Sequence, residues 1–583
     1  MIRLPQVKIV CLVKQVPRGD AINFDPATKT LRREGVPLLL NPFDAAAVVQ
    51  AADLKERVGG EVIAMTMGPP QAADALRTCL ALGSDRCIHL SDRVFAVADT
   101  LGTSRTLALA IQKESGVDLV LCGRKTVDSE TWQVPPETAA FLGWPHLTSV
   151  VDIELADGRV RATRETDAGY DSYELDLPAV LSLASAIEAE TSSDGSVEVW
   201  TANDLVGDVR ENDKRFGQTG SPTRVLAVRD VTPERTGELA QSAGEVIGKV
   251  RNLLTDRPPE ATHWDKPARL GEKPGKSYDA WTFVETVEGR ATRASLELIA
   301  KSRELAGKLG GESVALVMGK DAEAVGETLG RHGAERVVLV ADERLDDYHS
   351  ELWTAALVQV LQRLRPHVLT LPATARGRDL GPRAAGELEL GMTGDCVNLG
   401  IDRGGRLIQT KPAYGGNIVS VIMGRTTPQL ATVRPRMFSV LEPREQTARV
   451  ERFELDSLPE PRSALVEHRP APAFDLDESD VVVLLGPDAP AGWAPEGVAV
   501  GGTREVCARD DLPGNRQIGL YGRAVAPRVL VAVGVPGDFE QLTGIVKSAV
   551  VVSVRGGAGM EQAADVVFRG EPGDIIDALA HER

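Results

Sequence analysis

The sequence predicts an α/β protein with two homologous, doubly wound parallel-sheet domains and a third, smaller α/β unit. The first observation behind this prediction is an internal repeat, because residues 59–92 resemble residues 310–342 at an offset of about 250 residues. A repeat of that length indicates a duplicated domain and not a short solenoid repeat. The second observation is that short apolar runs alternate with helical stretches in both copies, which is the pattern of a parallel sheet covered on both faces.

The elements of the two copies follow the same order. An apolar strand leads to a glycine and a helical stretch, then to a Gly-acidic-Arg turn, a second strand, a long amphipathic helix and a third strand. The predicted strands and long helices of the two copies are 62–67, 98–112, 314–318 and 348–364. Ligands of such sheets bind beyond the carboxyl ends of the strands. We therefore expect the chemistry in the loops after Leu121 and Leu371.

The remaining segments connect the copies to each other and to the third unit. A polar stretch rich in proline, glycine and charge follows the first copy, with one helix predicted at 238–254, and a second Pro-rich passage follows the second copy. Apolar runs at 481–485, 529–533 and 550–554 predict the third α/β domain. The predicted boundaries are 1–230 for the first domain, 231–277 for an arm and linker, 278–457 for the second domain, 458–474 for a hinge and 475–583 for the third domain.

The composition disfavours several functional classes. The formal net charge is −18 and aromatic residues are 4% of the chain, so binding to nucleic acid is not expected. No apolar run approaches the roughly 18 to 20 residues that cross a bilayer, and the amino terminus has no signal-peptide cleavage site. The 6 scattered cysteines and 8 histidines form no evident disulfide, metal or catalytic pattern. We expect a cytoplasmic protein that does not insert into a membrane.

Long motifs follow one another in a fixed order along the chain. The first half contains KIVCLVKQVP from Lys8, LRREGVPLLLNPFDAAAV from Leu31, CGRKTVDSETWQVPPE from Cys122 and RATRETDAGYDSYELDLPAVLS from Arg161. The second half contains LPATARGRDLGPRAA, GMTGDC, QTKPAYGGNI, RTTPQLATVRP and NRQIGLYGRAVAPRVLVAVGVPG. Together these motifs resemble an electron-transfer flavoprotein whose two subunits are fused, with the beta-like half first and the alpha-like half second. The resemblance implies that the two homologous domains form a pseudo-twofold pair. It also implies that the third domain is a flavodoxin/Rossmann-like domain that binds FAD.

The FAD site implied by the resemblance lies in the third domain. Arg504 matches the family arginine that lies over the flavin, and Thr503 matches its neighbouring hydroxyl. Glycine-rich turns suit the phosphates of a dinucleotide, because closely spaced backbone N–H groups favour anions. The implied site residues are Thr503, Arg504, Gln517, Gly519, Leu520, Tyr521, Gly522, Gly537, Gln541, Arg555 and Asp565.

This implied site departs from the family pattern. Tyr521 stands where the family has a threonine, Gln541 where it has a histidine, and Arg555 where it has an asparagine. The carboxylates of Asp538 and Glu540 would disfavour a bound pyrophosphate unless Arg555 or Arg523 offsets their charge. The third domain is therefore expected either to bind FAD in an altered form or to have lost it.

The resemblance also implies a second nucleotide site, in the first domain. The loop from Asp128 to Val134 resembles the loop that binds AMP in ordinary members and a second FAD in electron-bifurcating members, and FAD is favoured over AMP. Trp132 replaces a small residue, so its ring either stacks on an adenine or flavin or packs in the domain interface. The implied site residues are Val13, Asn41, Met67, Gly123, Asp128, Thr131, Trp132, Gln133 and Val134.

The main functional hypothesis is a single-chain electron carrier. Through bound FAD it takes electrons from a flavin dehydrogenase and passes them to a membrane-associated quinone oxidoreductase, while the third domain turns on the Pro-rich hinge. The segment from Ala186 lacks the hydrophobic anchor with which ordinary members bind acyl-CoA dehydrogenases, so a donor of another kind is expected. Two alternatives remain open, namely a nucleotide-binding adaptor with a degenerate flavin site and a bifurcating carrier with two flavins.

Overall fold

The structure is a computed structural model that describes most of the chain. Parts of the motifs quoted above and of the connector lie outside the described residues, including 26–29, 33–34, 271–277 and 414–415. The described residues are 6–19, 23–25, 30–32, 35–156, 158–210, 212–231, 234–258, 263–270, 278–320, 322, 324–413, 416, 418–490, 493 and 495–580.

The first domain alternates strands and helices. Its strands are β1 (Val7–Leu12), β2 (Gln15–Pro17), β3 (Asn23–Asp25), β4 (Thr30–Arg32), β5 (Leu38–Leu40), β6 (Gly60–Met67), β7 (Arg86–Leu90), β8 (Leu119–Gly123), β9 (His146–Ala156), β10 (Arg159–Glu165), β11 (Gly169–Asp176), β12 (Ala179–Leu183) and β13 (Glu198–Trp200). Its helices are α1 (Pro42–Val58), α2 (Ala73–Ala81), α3 (Thr100–Glu114), α4 (Val134–Leu142) and α5 (Ala202–Val206).

Nine of these strands and one strand from later in the chain form a single sheet. The order is β13-β7-β6-β1-β8-β12-β9-β10-β11, and β28 (Ser463–Pro470) forms the last edge. The pairs from β13 through to β9 are parallel, and those from β9 to β28 are antiparallel. The chain winds outwards from β1 in both directions, so a topological switch point lies between β1 and β8. In open α/β sheets this is where ligands bind.

Three elements precede the second domain, namely the strands β14 (Thr223–Asp230) and β15 (Glu238–Ala240) and the helix α6 (Ala243–Asp256). The second domain then repeats the plan of the first. Its strands are β16 (Ala280–Val284), β17 (Thr286–Val287), β18 (Arg290–Ala291), β19 (Ser313–Met318), β20 (Arg336–Val340), β21 (Val368–Pro372), β22 (Met392–Cys396), β23 (Asn398–Ile401), β24 (Leu407–Ala413), β25 (Ile418–Gly424), β26 (Gln429–Val433) and β27 (Arg449–Arg452). Its helices are α7 (Arg293–Leu309), α8 (Gly326–Arg331), α9 (Ser350–Leu364) and α10 (Ala375–Leu388). The parallel sheet has the order β22-β26-β21-β16-β19-β20-β27.

The third domain has a smaller parallel sheet in the order β15-β33-β32-β31-β29-β30, with these bounds: β29 (Val481–Leu485), β30 (Ala499–Gly502), β31 (Val529–Val533), β32 (Val550–Val554) and β33 (Val566–Phe568). The helices are α11 (Asp475–Glu478), α12 (Arg504–Ala508), α13 (Phe539–Thr543), α14 (Ala558–Gln562) and α15 (Gly573–Ala580). Counted along the domain, the strand order is 2-1-3-4-5, which is the flavodoxin-like arrangement with its switch point between β29 and β31. The predicted fold class is therefore confirmed.

Three strands complete a sheet of another domain. β14 pairs with β25 in an antiparallel sheet of the second domain, β15 pairs with β33 in the third domain, and β28 pairs with β11 in the first. The predicted linker thus supplies both β15 and α6 to the third domain, and the predicted hinge carries β28. The turning of the third domain on residues 458–474 stays a prediction.

Capping side chains explain where the predicted helices begin. The carboxylate of Asp99 accepts a hydrogen bond from Gly102 N, so the helix predicted from residue 98 begins at Thr100. Ser242 accepts from Glu245 N in the same way, and it divides the predicted helix 238–254 into strand β15 and helix α6. The predicted apolar strands 481–485, 529–533 and 550–554 have the same bounds in the structure.

The apolar cores lie on both faces of each parallel sheet. Ile9 and Cys11 of β1 contribute to one core beneath α1, and the alternating Val10 and Leu12 contribute to another beneath α3. Because both faces are buried, these strands are apolar at nearly every position, as the sequence pattern predicted. The arrangement leaves the carboxyl ends of the strands as the places where polar loops meet.

Candidate functional site

The first crevice lies at the switch point of the first domain. We use "first-domain crevice" for the site formed by Val13, Asn41, Met67, Gly123 and Asp128. Val13 follows β1, and Met67 and Gly123 end the neighbouring strands β6 and β8. Asp128 belongs to the loop after β8, and Asn41 contacts that loop. Asn41 is fully buried and fixes the loop after β8, because its Nδ2 donates to Lys125 O at 3.0 Å and its Oδ1 accepts from Val127 N at 3.2 Å. These predicted positions do come together in the structure.

A partly buried ion pair lies at one side of the first-domain crevice. Lys14 Nζ lies 2.7 Å from Asp128 Oδ2, and the Thr126 hydroxyl donates to Asp128 Oδ1 at 2.6 Å. Burial works against the charge of Asp128, but Lys14 and the hydroxyl donors hold the pKa of this carboxyl below its usual range. The crevice therefore keeps a carboxylate that its own lysine neutralises.

The second half of the same loop faces the second domain instead. The Arg378 guanidinium lies 4.3 Å from the centroid of the Trp132 ring, and Gln133 Nε2 donates to Met392 O at 3.1 Å. The carbonyl of Thr131 packs against Gly394, where a Cβ atom would overlap it. Val134 begins α4. The structure thus places Trp132 in the domain interface, which is one of the two positions that the sequence left open for its ring.

The second crevice lies at the switch point of the third domain. We use "third-domain crevice" for the space between the carboxyl ends of β29, β30 and β31 and the first domain, bounded by Thr503, Arg504 and the turn 519–522. The turn is bonded to α13, since Leu520 N donates to Glu540 O at 2.8 Å. Thr503 is fully buried, and its hydroxyl has no hydrogen-bond partner among the described residues.

Glycines are required at the turns around this crevice. Gly519 has a φ of 138°, and a Cβ atom there would lie 2.9 Å from Glu540 O. Gly537 has a φ of 90°, and a Cβ atom would overlap Met560 N. A Cβ atom on Gly522 would overlap Gln517 O. The turns predicted to hold phosphates are therefore tight because the backbone approaches itself closely, which only glycine permits.

Tyr521 fills the space between the third domain and the first. Its ring meets Phe43 edge to face with centroids 5.8 Å apart, and the Arg504 guanidinium lies 5.0 Å from its centroid. Its hydroxyl donates to Glu188 Oε1 at 2.9 Å. Arg504 Nη2 also donates to Ala186 O at 2.7 Å. In this docked arrangement the arginine predicted to lie over a flavin lies over a tyrosine of its own chain.

Three predicted residues of the third domain have other partners. Gln541 caps α13, because its Oε1 accepts from Gly537 N at 2.7 Å and from Asp538 N at 3.1 Å. Arg555 follows β32 and forms an ion pair with Glu571. Asp565 is buried at the amino end of β33, whereas the crevice lies at the carboxyl ends of β29, β30 and β31, and it pairs with Arg235 and Arg257 of the connector. Asp565 is thus separated from the other predicted residues.

The charge balance around Glu540 differs from the expectation. Arg523, one of the two arginines expected to offset the acidic pair, forms ion pairs of 2.9 Å with Asp167 and 2.8 Å with Asp477. Burial raises the pKa of Glu540 to about 7, and Arg504 is the cation that opposes this rise. The third-domain crevice therefore contains a carboxyl group that gains a proton near neutral pH.

A small cavity of about 60 Å³ lies where the three domains meet. Gln517 and Gly522 of the third domain line it together with Trp132, and Arg124 of the first domain closes it, with its Nη1 3.0 Å from Glu165 Oε2. Arg124, Glu188 and Phe43 were missed by sequence reasoning. A signal was present for Arg124, because it directly follows the last residue of β8, where ligand-binding loops begin.

The residues of the third-domain crevice fit the phosphates of FAD better than its planar ring. The unpartnered hydroxyl of Thr503 and the side-chain-free turns at Gly519 and Gly537 suit a dinucleotide. A planar ring system, however, fits between Arg504 and Phe43 only after Tyr521 has left that space. Among the described residues no group of His, Cys, Asp and Glu could hold a metal ion, and no helix reaches the length and apolarity needed to span a membrane.

The fold defines a class of protein, namely α/β proteins with two homologous lobes and a flavodoxin-like third domain. Profile comparison identifies the particular family. The family described as "Electron transfer flavoprotein domain" matches residues 28–205 and 280–458, more than half of the chain, and "Electron transfer flavoprotein FAD-binding domain" matches residues 496–546. The chain belongs to the electron transfer flavoprotein family.

Each half of the chain is similar to a separate subunit in other organisms. An electron transfer flavoprotein subunit beta of Thermoanaerobacterium thermosaccharolyticum is 37% identical over 258 residues, which are 42% of this chain and 96% of the relative. The caffeyl-CoA reductase-Etf complex subunit CarD of Acetobacterium woodii is 38% identical over 43% of this chain and 97% of the relative. An electron transfer flavoprotein subunit alpha of Clostridium acetobutylicum is 28% identical over 51% of this chain and 95% of the relative. The predicted fusion of a beta-like and an alpha-like half is confirmed.

Proposed function

We propose that this chain is a single-chain electron carrier that takes electrons from a flavin-dependent dehydrogenase or reductase and passes them to a quinone oxidoreductase or a similar acceptor. The observation that carries the proposal is that the matched FAD-binding segment, residues 496–546, surrounds the third-domain crevice. That crevice lies at a switch point, where dinucleotides bind to folds of this type.

FAD, when bound, supplies a ring that takes up and releases electrons. In the proposed site, the backbone of the turns at Gly519, Gly522 and Gly537 would hold the pyrophosphate. Thr503 offers a hydroxyl that has no other partner, and Arg504 supplies positive charge near the ring. Gln517 lines the junction cavity beside the same turn.

A second nucleotide, FAD or AMP, is proposed for the first-domain crevice. Support comes from the position of the crevice between β1 and β8 and from Asn41, whose side chain holds the loop in place. Asp128 and Lys14 neutralise each other there, so the crevice does not repel a phosphate strongly.

The partner surface is proposed to involve the segment after β12. A relative named as a subunit of a caffeyl-CoA reductase-Etf complex supports a flavin-dependent oxidoreductase as the partner. The segment 186–197 is largely polar and exposed, and two of its residues contact the third domain. Motion of the third domain would therefore release Ala186 from Arg504 and the exposed Glu188 from Tyr521, so that both could contact a partner.

Counting flavins tests this proposal. The full-length protein is purified and denatured, and the released flavin is quantified by absorbance per polypeptide. One flavin supports the carrier with FAD in one crevice, and two flavins together with reduction by NADH support the bifurcating alternative. Protein without flavin that cannot be reconstituted with FAD would contradict the proposal.

The adaptor hypothesis is kept as a second candidate because of one specific observation. Tyr521 occupies the space proposed for the flavin ring in the third-domain crevice. Its ring lies against the Arg504 guanidinium and its hydroxyl donates to Glu188, so both residues have partners without a ligand. An adaptor would bind AMP or ADP in the first domain and no flavin at all. Chromatography of the nucleotide released on denaturation separates this candidate from the carrier.

A further inference from the structure

Tyr521 is one of the residues that hold the third domain against the first. Its ring belongs to an apolar cluster with Val16, Phe43 and Val127 of the first domain, and only 7% of the residue is exposed. Its carbonyl accepts a hydrogen bond of 2.6 Å from Arg124 Nη2, and its hydroxyl donates to Glu188. Backbone, ring and hydroxyl of one residue thus all contact the first domain.

The surroundings of the Tyr521 ring are those that a bound aromatic ligand would need. Arg504 covers one face at 5.0 Å, and the ring of Phe43 approaches at an interplanar angle of 70°. The carboxylate of Glu188 accepts from the polar edge of the ring. Stacking on arginine, an edge-to-face aromatic contact and one polar anchor together favour a flat group with a polar rim.

The turn that carries Tyr521 does not itself require a tyrosine. Its tight geometry comes from Gly519 and Gly522, and Gly522 N donates to Gly519 O at 3.1 Å. Leu520 N anchors the turn to α13. A smaller residue at position 521 would therefore leave the turn intact and empty the space between Arg504 and Phe43.

We infer that Tyr521 is a specificity-determining residue of the third-domain crevice, because its side chain competes with the ring of FAD for the space between Arg504 and Phe43. This inference rests on the proposed function. The Tyr521 side chain must withdraw before this space can hold a ring, and withdrawal breaks its contacts with Phe43 and Glu188 of the first domain. Cofactor binding and the loss of these interdomain contacts are thus one coupled equilibrium.

The test is a titration of the full-length chain, stripped of nucleotide, with FAD, followed by fluorescence. Tyr521→Thr removes the ring and keeps a hydroxyl, and Tyr521→Phe keeps the ring but loses the bond to Glu188. Asn515→Ala is the matched control, because it loses bonds of 3.2 Å to Thr166 O and 2.6 Å to Ala471 O near the same interface without emptying the crevice.

The expected result is that Tyr521→Thr lowers the Kd for FAD roughly tenfold, while Tyr521→Phe and Asn515→Ala stay within a few-fold of the unchanged protein. Equal Kd values in all four proteins would overturn the inference and leave the proposed function standing. An equal decrease of the Kd for FAD in Tyr521→Thr and Asn515→Ala would also overturn the inference. Weaker docking of the third domain would then be enough to explain the higher affinity. Failure of every protein to bind FAD would instead overturn the proposed function.

A second measurement keeps the inference testable if Tyr521→Thr does not fold. Hydrogen exchange of the unchanged chain is compared with and without FAD at residues 184–190, which carry the partners of Arg504 and Tyr521. Faster exchange there on adding FAD is expected, because the side chain withdraws from Glu188. Unchanged or slower exchange in FAD-saturated protein would contradict the inference.

Discussion

The two crevices occupy the same place in two related sheets, yet their charges and contacts are arranged differently. In the first-domain crevice, Asp128 is paired with Lys14 and stays ionised. In the third-domain crevice, partial burial raises the pKa of Glu540 to about 7, and a tyrosine fills the opening. The polar residues of the first-domain crevice pair with residues of the same domain. In the third-domain crevice, Arg504 and Tyr521 make contacts with another domain.

This difference shows that a switch point specifies where a ligand can bind. It does not specify how much free energy is needed to clear the crevice of the protein's own side chains. The first-domain loop is held by Asn41, whose partners are backbone atoms of the same domain. Emptying the third-domain crevice breaks the contacts of Tyr521 with the first domain, so the affinity of this crevice for a ligand includes the free energy of those contacts. The predictions below test this contrast, in order of decreasing expected effect.

The largest expected effect concerns the far end of the first-domain loop. Trp132→Ala should lower the stability of the protein by about 2 kcal/mol, because the ring packs beside Arg378 and Arg124 in the domain interface. The Tm measured by calorimetry should fall by several degrees, and the rise in Tm on adding AMP or FAD should be unchanged.

The control for this prediction is Trp200→Ala at the opposite edge of the same sheet, where Lys113 lies 4.8 Å from the ring centroid. It should also lower the Tm without changing the response to nucleotide. Loss of nucleotide stabilisation in Trp132→Ala alone would show that the ring stacks on the ligand, and the contrast between the crevices would then weaken.

The next effect concerns Arg504. Arg504→Ala should lower the two-electron reduction potential of FAD in the third domain by roughly 30 mV, because reduction adds electron density that the guanidinium stabilises. The measurement is a spectroscopic redox titration, with Lys14→Ala as a variant of the first-domain crevice. A shift in Lys14→Ala as large as that in Arg504→Ala would place the titrated flavin in the first domain.

The smallest effect concerns pH. Because Glu540 gains a proton as the pH falls through about 7, its charge disappears and an anionic pyrophosphate should bind a few-fold more tightly at pH 6 than at pH 8. Glu540→Gln should remove this dependence. Asp128→Asn should leave the dependence in place, since the pKa of Asp128 lies below its usual range. Identical pH profiles for Glu540→Gln and the unchanged protein would contradict the prediction.

The fold was predictable because its signals are local. Apolar runs such as 529–533 define buried parallel strands by themselves, and an internal repeat needs no knowledge of packing. The connector was predicted incompletely, because the short strand Glu238–Ala240 exists only through its pairing with β33, more than 300 residues later in the chain. A strand of that length carries little propensity of its own.

The sites were predictable only in part, because contacts between distant parts of the chain leave no local signal in the sequence. Val13 and Asn41 follow strands and Gly123 ends one, so the place that the family resemblance implied for them agrees with the order of the strands. The contact of Tyr521 with Phe43 and the ion pair of Arg523 with Asp167 join different domains, and no sequence pattern encodes such distances. Asp565 shows the converse, because motif similarity suggested a site while the carboxylate serves to attach the connector.

The ten-stranded sheet has a consequence for synthesis of the chain. Its last edge is formed by β28, so the first domain cannot complete its sheet until about 470 residues have been translated. Until then β11 presents an open edge, which can pair with other nascent chains. A ribosome that pauses between the two lobes would therefore leave the earlier lobe most prone to aggregation.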